Sequence, residues 1–149
     1  MAEQFSPRPL LVGEANPHST EPRHALFPLP PGCAGGRLCH QVMRLPVAEY
    51  VRRFDRANLC HPTWRSVAAR KAARRVVDEA RLAGGRDVVL LGSRVARAFG
   101  VDPTPFRVVE SDGGVRFVVL PHPSGRCRVW NEPGSFARAR RLLKKAGLL

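Results

Sequence analysis

The chain is poor in acidic residues and contains only three lysines. Twelve Asp and Glu stand against 25 basic residues, which gives a formal net charge of +13 over 149 residues. Twenty-two of the basic residues are arginine, whose planar guanidinium binds phosphate through paired hydrogen bonds. Because so many like charges repel one another unless a polyanion screens them, the excess favours a nucleic-acid partner. A solvated basic surface, or a coding bias towards arginine, is the alternative explanation.

The chain also lacks long apolar runs and closely spaced cysteine pairs. No run reaches the roughly 20 residues of a membrane-spanning helix, so no membrane partner is expected. The four cysteines show no CxxC spacing, and neither a zinc site nor an iron–sulfur cluster is predicted. The start of the chain does not resemble a signal peptide. We therefore expect reduced thiols, no metal, no cofactor and a cytoplasmic protein, associated with the nucleoid if it is encoded by a bacterium or a phage.

Apolar residues make up 44% of the chain, enough for one domain spanning residues 1–149. Short apolar runs predict strands at residues 9–13, 56–59, 87–91, 106–110 and 115–120. Helical periodicity and end signals predict helices at 36–46, 47–54, 64–83, 93–99 and 135–146. Because strands alternate with helices, the pattern predicts an α/β fold with three layers, α/β/α, and a mostly parallel central sheet of about four strands.

Two of these helices carry more detailed predictions. In the helix at 64–83, the apolar stripe is predicted to consist of Ala68, Ala72, Val76, Ala80 and Ala83, with Val77 beside it. The opposite side of that helix is rich in arginine and is either a solvated face or a DNA contact. Ser135 is predicted to be the N-cap of the last helix.

Two segments place polar side chains directly after a predicted strand. The first, LLVGEANPHS at 10–19, contains Glu14, Asn16 and His18, and the second, LPHPSGRCRVWN at 120–131, contains His122 and Ser124. In open α/β sheets, ligands bind beyond the carboxyl ends of the strands, at the point where the strand order reverses. Assuming that the two strands are parallel neighbours, we expect the segments to form the two halves of one pocket.

The two segments resemble the motifs of the uracil-DNA glycosylase superfamily. Gly13–Pro17 (GEANP) resembles the first motif and His122–Gly125 (HPSG) the second, while Asp87–Gly92 (DVVLLG) resembles the central strand of that superfamily. The likeness extends from Leu10 to about Trp130. It implies a fold of that type and a monofunctional DNA glycosylase, working as a monomer, that flips a base out of DNA and hydrolyses its N-glycosidic bond.

The resemblance also assigns roles to individual residues. It implies that Asn16 orients the attacking water and that His122 donates a hydrogen bond to a carbonyl oxygen of the departing base, as in an oxyanion hole. Asn58 would read the base edge and Phe27 would stack on the flipped base. The other residues expected at the base are Glu14, Ala15 and His18. The residues expected at the DNA backbone are Ser124, Gly125, Arg126 and Arg128.

Each of the main residues also has a purely structural interpretation. Asn16 precedes a proline, a common place for a turn residue, and an isolated His122 would be typical of a structural histidine. Asn58 fits the end of a strand, and Phe27 fits a hydrophobic core.

The sequence departs from the superfamily pattern in three ways. Asn16 cannot ionise as the Asp of some branches does, which predicts a slower enzyme unless Glu14 supplies the charge or the base leaves readily. His18 replaces a bulky aromatic residue of the uracil-specific branch, so 5-substituted pyrimidines need not be rejected. Arg126 follows the second motif where many relatives have an apolar wedge, which favours single-stranded or already distorted DNA.

Three functional hypotheses therefore remain open. The first is a glycosylase acting on uracil or a modified pyrimidine, in repair or in the removal of hypermodified bases from foreign DNA such as that of a phage. The second is a non-catalytic protein of the same fold that binds a flipped base. The third is a basic nucleotide- or RNA-binding module without hydrolytic activity.

Overall fold

The computed structural model describes residues 7–149, and within them five strands form one sheet. The strands are β1 (Leu10–Ala15), β2 (Asp55–Cys60), β3 (Arg86–Leu91), β4 (Arg107–Glu110) and β5 (Val115–Leu120). Their order is β2-β1-β3-β5-β4, with every neighbouring pair parallel except β4 and β5, which are antiparallel. The prediction of a mostly parallel α/β sheet is confirmed, although the sheet has five strands rather than about four.

Five α-helices and several tighter turns accompany the strands in residues 7–149. The helices are α1 (Ala34–Arg37), α2 (Val47–Arg53), α3 (Ser66–Leu82), α4 (Ser93–Ala98) and α5 (Ser135–Lys145). Helix α1 continues directly into a π-helical segment, Leu38–Met43. Short 3₁₀ turns lie at Pro22–His24, Asp112–Gly114 and Arg128–Asn131.

Helices cover both faces of the sheet. On one face, the π-helical segment, α2 and α5 pack on buried strand residues that include Leu11, Val89, Val118 and Leu120. On the other face, α3 and α4 pack on a second set that includes Leu10, Val12, Leu90 and Val119. Because successive strand residues point to opposite faces, continuous apolar runs produce these two hydrophobic layers at once.

Helix α3 buries a slightly different stripe from the predicted one. Ala69, Ala73 and Ala80 are buried, whereas Ala68 and Ala83 are exposed. An alanine-rich helix offers overlapping apolar stripes, and the stripe that faces the sheet here also carries the half-buried Val76 and Val77.

The N-cap predicted for the last helix is also wrong by one residue. Gly134, with a left-handed φ of 81°, is the N-cap of α5, and Ser135 is the first helical residue. The Ser135 hydroxyl donates a hydrogen bond to the carbonyl oxygen of Val129 at 2.7 Å. This contact fixes the preceding 3₁₀ turn on the helix.

The strand order reverses between β1 and β3. From β1 the chain moves outward to β2, crosses back over β1 to β3, passes to the far edge at β4 and returns to β5. The carboxyl ends of β1, β3 and β5 therefore lie along one edge of the sheet, where open α/β folds bind their ligands.

Candidate functional site

The two predicted halves of the pocket are not on neighbouring strands, because β3 lies between β1 and β5. What links them is Gly92, the residue after β3, whose N–H donates to the carbonyl of Leu120 at 2.9 Å. A β-carbon at Gly92 would lie 3.1 Å from Cβ of His122 and 3.5 Å from Oε1 of Glu14. With its φ of 106°, this position favours glycine, and the absence of a side chain lets Glu14 and His122 approach the same point beside Gly92.

The ring of His122 is held in one tautomer by its own turn. Nδ1 accepts a hydrogen bond from the backbone N–H of Ser124 at 3.2 Å, so the proton of the neutral ring is on Nε2. The indole Nε1 of Trp130 donates to the carbonyl oxygen of His122 at 2.7 Å and fixes the backbone. His122 therefore has an Nε2–H group available as a hydrogen-bond donor.

The surroundings of His122 favour its neutral form. Burial lowers the pKa of the ring below its ordinary value, and the nearby guanidinium of Arg94 lowers it further, while the carboxylate of Glu14 opposes both effects. Arg94 and Glu14 also form an ion pair with 4.0 Å between Nη1 and Oε2. The ion pair of Glu14 and Arg94 thus lies close to the neutral ring of His122.

Asn16 adopts a defined turn at the exit of β1. Its side-chain Oδ1 accepts a hydrogen bond from the backbone N–H of His18 at 2.9 Å, an Asx turn of the kind that asparagine favours. One lone pair of Oδ1 and both N–H groups of the amide remain for other partners. Asn16 is therefore a turn residue whose half-buried amide is held in a fixed orientation.

Asn58 lies over Gly13, its partner in the parallel pairing of β1 and β2. A β-carbon at Gly13 would come within 2.5 Å of Oδ1 of Asn58 and 3.3 Å of Leu26, so glycine makes the space for the amide. Gly13 and Glu14 are consecutive strand residues and point to opposite faces of the sheet. The predicted base-binding residues are thus divided, with Asn58 near Leu26 on one face and Glu14 with Arg94 on the other.

The long loop between β1 and α1 is anchored by Arg56 and Tyr50. Nη1 of Arg56 donates to the carbonyls of Arg23 and Ala25 at 3.2 and 3.1 Å, and the hydroxyl of Tyr50 donates to the carbonyl of Leu26 at 2.9 Å. The guanidinium of Arg56 also lies 5.5 Å from the ring centroid of Phe27. Phe27 remains 36% exposed, so it is not a core residue.

The residues predicted to hold the DNA backbone follow His122 in a surface turn. Ser124 is half-buried, and Gly125, Arg126 and Arg128 are exposed. Within the described part of the chain, neither Arg126 nor Arg128 forms an ion pair. Their charges are free to meet an anion. Two other residues were predicted to contact the base. Ala15 is half-buried at the end of β1, beside Cys60, and His18 is exposed.

Two clefts open elsewhere on the surface and include neither Asn16 nor His122. One lies beside β4 and α4 and is lined by Phe99, Asp102, Arg107 and Phe117, among others. The other lies near the start of β2 and is lined by Arg8, Arg23, Phe54 and Arg56, among others.

No group of three or more metal-ligating side chains occurs among residues 7–149, and all four cysteines are free thiols. No helix in the same range is both long and apolar enough to cross a membrane. A scan against protein-family models finds no match for the chain, and a search of curated proteins finds no relative.

Sequence reasoning missed the contributions of Gly92, Arg94 and Trp130 to this site. Gly92 could have been predicted from the sequence, because a glycine between a buried strand and a helix, at the point where the strand order reverses, is a frequent ligand-binding position. Arg94 had none, since only the folded chain brings it to Glu14.

Proposed function

We propose that the protein is a monofunctional DNA glycosylase that removes uracil or a modified pyrimidine after flipping the nucleotide out of the helix. The proposal combines the likeness to the uracil-DNA glycosylase superfamily with the geometry around Gly92. The observation that carries it is the Ser124 N–H bond to Nδ1 of His122, which leaves Nε2–H as a fixed donor.

The reaction makes use of that donor. As the bond between C1′ of the sugar and the base nitrogen breaks, its electron pair goes to the base, whose carbonyl oxygen gains negative charge. The Nε2–H group of His122 donates to that oxygen, and a well-placed donor of this type contributes roughly 2.7–4 kcal/mol to transition-state stabilisation. The leaving base then takes up a proton from solvent.

The water that completes the reaction is assigned to Asn16. Because the Asx turn fixes the amide, the remaining lone pair of Oδ1 can accept a hydrogen bond from a water and orient its oxygen towards C1′. The water oxygen bonds to C1′ and loses a proton to solvent, which leaves an abasic site. An amide carries no charge, so Asn16 orients this water without stabilising the positive sugar as a carboxylate would.

The basic surface fits the substrate. Arg126 and Arg128 are exposed directly after the turn of His122, where the strand next to a flipped nucleotide would pass. Phosphate contacts of this kind set the register of the strand without reading its sequence. We propose DNA as the partner and a monomer as the working form.

A second candidate, a non-catalytic protein that binds a flipped base, is favoured by one observation. The Oδ1 of Asn16 already accepts a bond from the His18 N–H, as an ordinary turn residue does. In that case the same donor, His122, would recognise the base without hydrolysis.

One assay separates the two candidates. Labelled oligonucleotides carrying uracil, thymine, hydroxymethylated or glucosylated pyrimidines are incubated with the full-length protein and then treated with hot alkali. Strand breaks at one base, lost in Asn16→Ala and His122→Ala, support the glycosylase, and a glucosylated or hydroxymethylated target would support removal of foreign bases. Base-selective binding without breaks supports the second candidate, and binding that ignores the base overturns both.

A further inference from the structure

Arg37, the last residue of α1, reaches the turn that carries His122. Its Nη1 would lie 3.8 Å from a β-carbon placed at Gly125. Apart from residues 124–126 themselves, no other heavy atom of residues 7–149 lies within 4 Å of that position. The space above Gly125 is therefore open except for a guanidinium on one side. Gly125 is itself exposed, so the opening faces solvent.

The backbone that carries Arg37 is tightly fixed. A β-carbon at Gly35 would come within 2.2 Å of the carbonyl oxygen of Leu26, and one at Gly36 within 2.5 Å of the carbonyl oxygen of Pro30. These two glycines let α1 pack directly against the preceding loop. Arg37 consequently extends from a rigid point rather than from a flexible segment.

The side chain of Arg37 is also linked to His122 through two aromatic rings. Its guanidinium carbon lies 6.0 Å from the centroid of Phe136. Phe136 stacks on Trp130 with 5.1 Å between centroids and 10° between planes. Trp130 donates to the carbonyl of His122, so Arg37, Gly125 and His122 occupy one packed unit.

The positive charge of Arg37 is not compensated by the described part of the protein. Its Nε is buried and has no hydrogen-bond partner there, and none of the ion pairs found among residues 7–149 includes it. By contrast, Arg116 meets Asp87 with 2.7 Å between Nε and Oδ1. The atom that faces the space above Gly125 is Nη1, and a charged N–H donor in that position suits an anion.

We propose that Arg37 binds a phosphodiester of the nucleic-acid strand in the opening above Gly125, next to the flipped nucleotide. The guanidinium would take one face of that phosphate, and the exposed turn at Gly125 and Arg126 would take the other. This inference rests on the proposed function and adds a strand contact from a different part of the chain. It makes α1 a positioning element that sets where the nucleotide stands relative to His122.

The salt dependence of binding tests the inference directly. Affinity for a short single-stranded oligonucleotide that carries one base of the panel is measured, before any base release, over a series of NaCl concentrations. Loss of one phosphate contact lowers the slope of log K against log salt by about 0.7 for a single strand and about 0.9 for a duplex. We expect that decrease in Arg37→Gln and no decrease in Arg52→Gln, a matched control in the last turn of α2, whose side chain is 74% exposed.

A charge-conserving variant of Arg37 and an oligonucleotide with one neutral phosphate link test the contact in two further ways. Arg37→Lys keeps the charge, so the slope should be retained while affinity falls because paired hydrogen bonding is lost. A single neutral methylphosphonate link placed beside the target nucleotide should weaken binding by wild-type protein and leave Arg37→Gln unaffected. A purely structural Arg37 would change the melting temperature but neither the slope nor the response to the neutral link.

The outcomes distinguish this inference from the proposed function. Abasic product together with an unchanged slope in Arg37→Gln would overturn the phosphate contact and leave the glycosylase standing. A reduced slope without abasic product on any base would support the contact and reject the glycosylase. If Arg37→Gln does not fold, equal affinity of Arg37→Lys and wild-type protein at every salt concentration overturns the inference.

Discussion

The amide of Asn58 occupies the space above Gly13 that a β-carbon would need, with 2.5 Å between that position and Oδ1. The pair is fixed by parallel pairing of β1 with β2, and the side chain of Leu26 lies 3.3 Å from the same β-carbon position. Glycine in the first motif therefore has a steric reason, independent of any catalytic role. It allows a polar side chain from one strand to lie across the end of the next.

Substitution of Gly13 should disturb Asn58 before it disturbs the sheet. In Gly13→Ala the new methyl group forces the amide and Leu26 to move, and we expect a loss of about 1–3 kcal/mol in unfolding free energy, typical of overpacking. Discrimination among bases should weaken at the same time. Urea denaturation and competition binding with the base panel measure the two effects.

Gly32→Ala is the matched control for that substitution. A β-carbon at Gly32 meets nothing within 4 Å, so its unfolding free energy should stay within about 0.5 kcal/mol of wild type. Equal stability and equal base preference in the two variants would contradict the role assigned to Gly13.

The pH dependence of base release should follow His122. Because burial lowers its pKa below the ordinary value of 6.5, the ring should stay neutral just below pH 6.5 and the rate should stay level there. At lower pH the rate should fall, because a proton on Nδ1 displaces the Ser124 N–H that orients the ring. As the pH falls, His122 takes up a proton in the unfolded chain, near pH 6.5, before it does so in the folded protein. The stability linked to this residue is therefore fully present above pH 6.5 and is lost as the pH falls through the lowered pKa of the folded ring. The pH–rate profile measures the effect on base release, and NMR titration of the ring measures the pKa of His122.

Neighbouring charges should move that pKa in opposite directions. Arg94→Gln removes a charge that lowers the pKa of His122 and should raise it, whereas Glu14→Gln removes the charge that raises it and should lower it further. The acid limb of the rate profile should shift with the pKa in each variant. Shifts of the same sign in both would mean that the ion pair at Gly92 does not control the ring.

Two substitutions at Asn16 should separate water positioning from turn formation. Asn16→Asp keeps an oxygen that accepts the His18 N–H and adds a negative charge near the sugar, so base release should be at least as fast as in wild type. Asn16→Ala loses both functions, and we expect a decrease on the order of 100-fold, typical of a misplaced reactant. Single-turnover assays at saturating protein measure the rates, and unchanged rates in Asn16→Ala would exclude it from the chemistry.

The sequence predicted the sheet better than the site. The strands at 87–91 and 115–120 were recognisable because buried parallel strands are continuous apolar runs, and β1 ran two residues further than expected because its pairing with β2 continues to Ala15 and Cys60. The order of the strands was not available from these runs. Hence the sequence could not show that Glu14 and His122 meet beside Gly92. It also missed that Gly13 and Glu14 face opposite sides of the sheet, because the predicted strand ended at residue 13.

We expect Trp130 to support stability and base release through its hydrogen bond to His122 as well as through packing. Trp130→Phe removes the indole N–H that meets the His122 carbonyl at 2.7 Å but keeps a ring against Phe136 and Phe106. We expect a loss of about 0.5–1.5 kcal/mol in unfolding free energy and slower base release, because the backbone of His122 is less firmly held. Trp64→Phe is the control, since Trp64 packs on the other face of the sheet and should leave base release unchanged. Equal base release by wild-type protein and Trp130→Phe would show that the bond to the carbonyl serves stability alone.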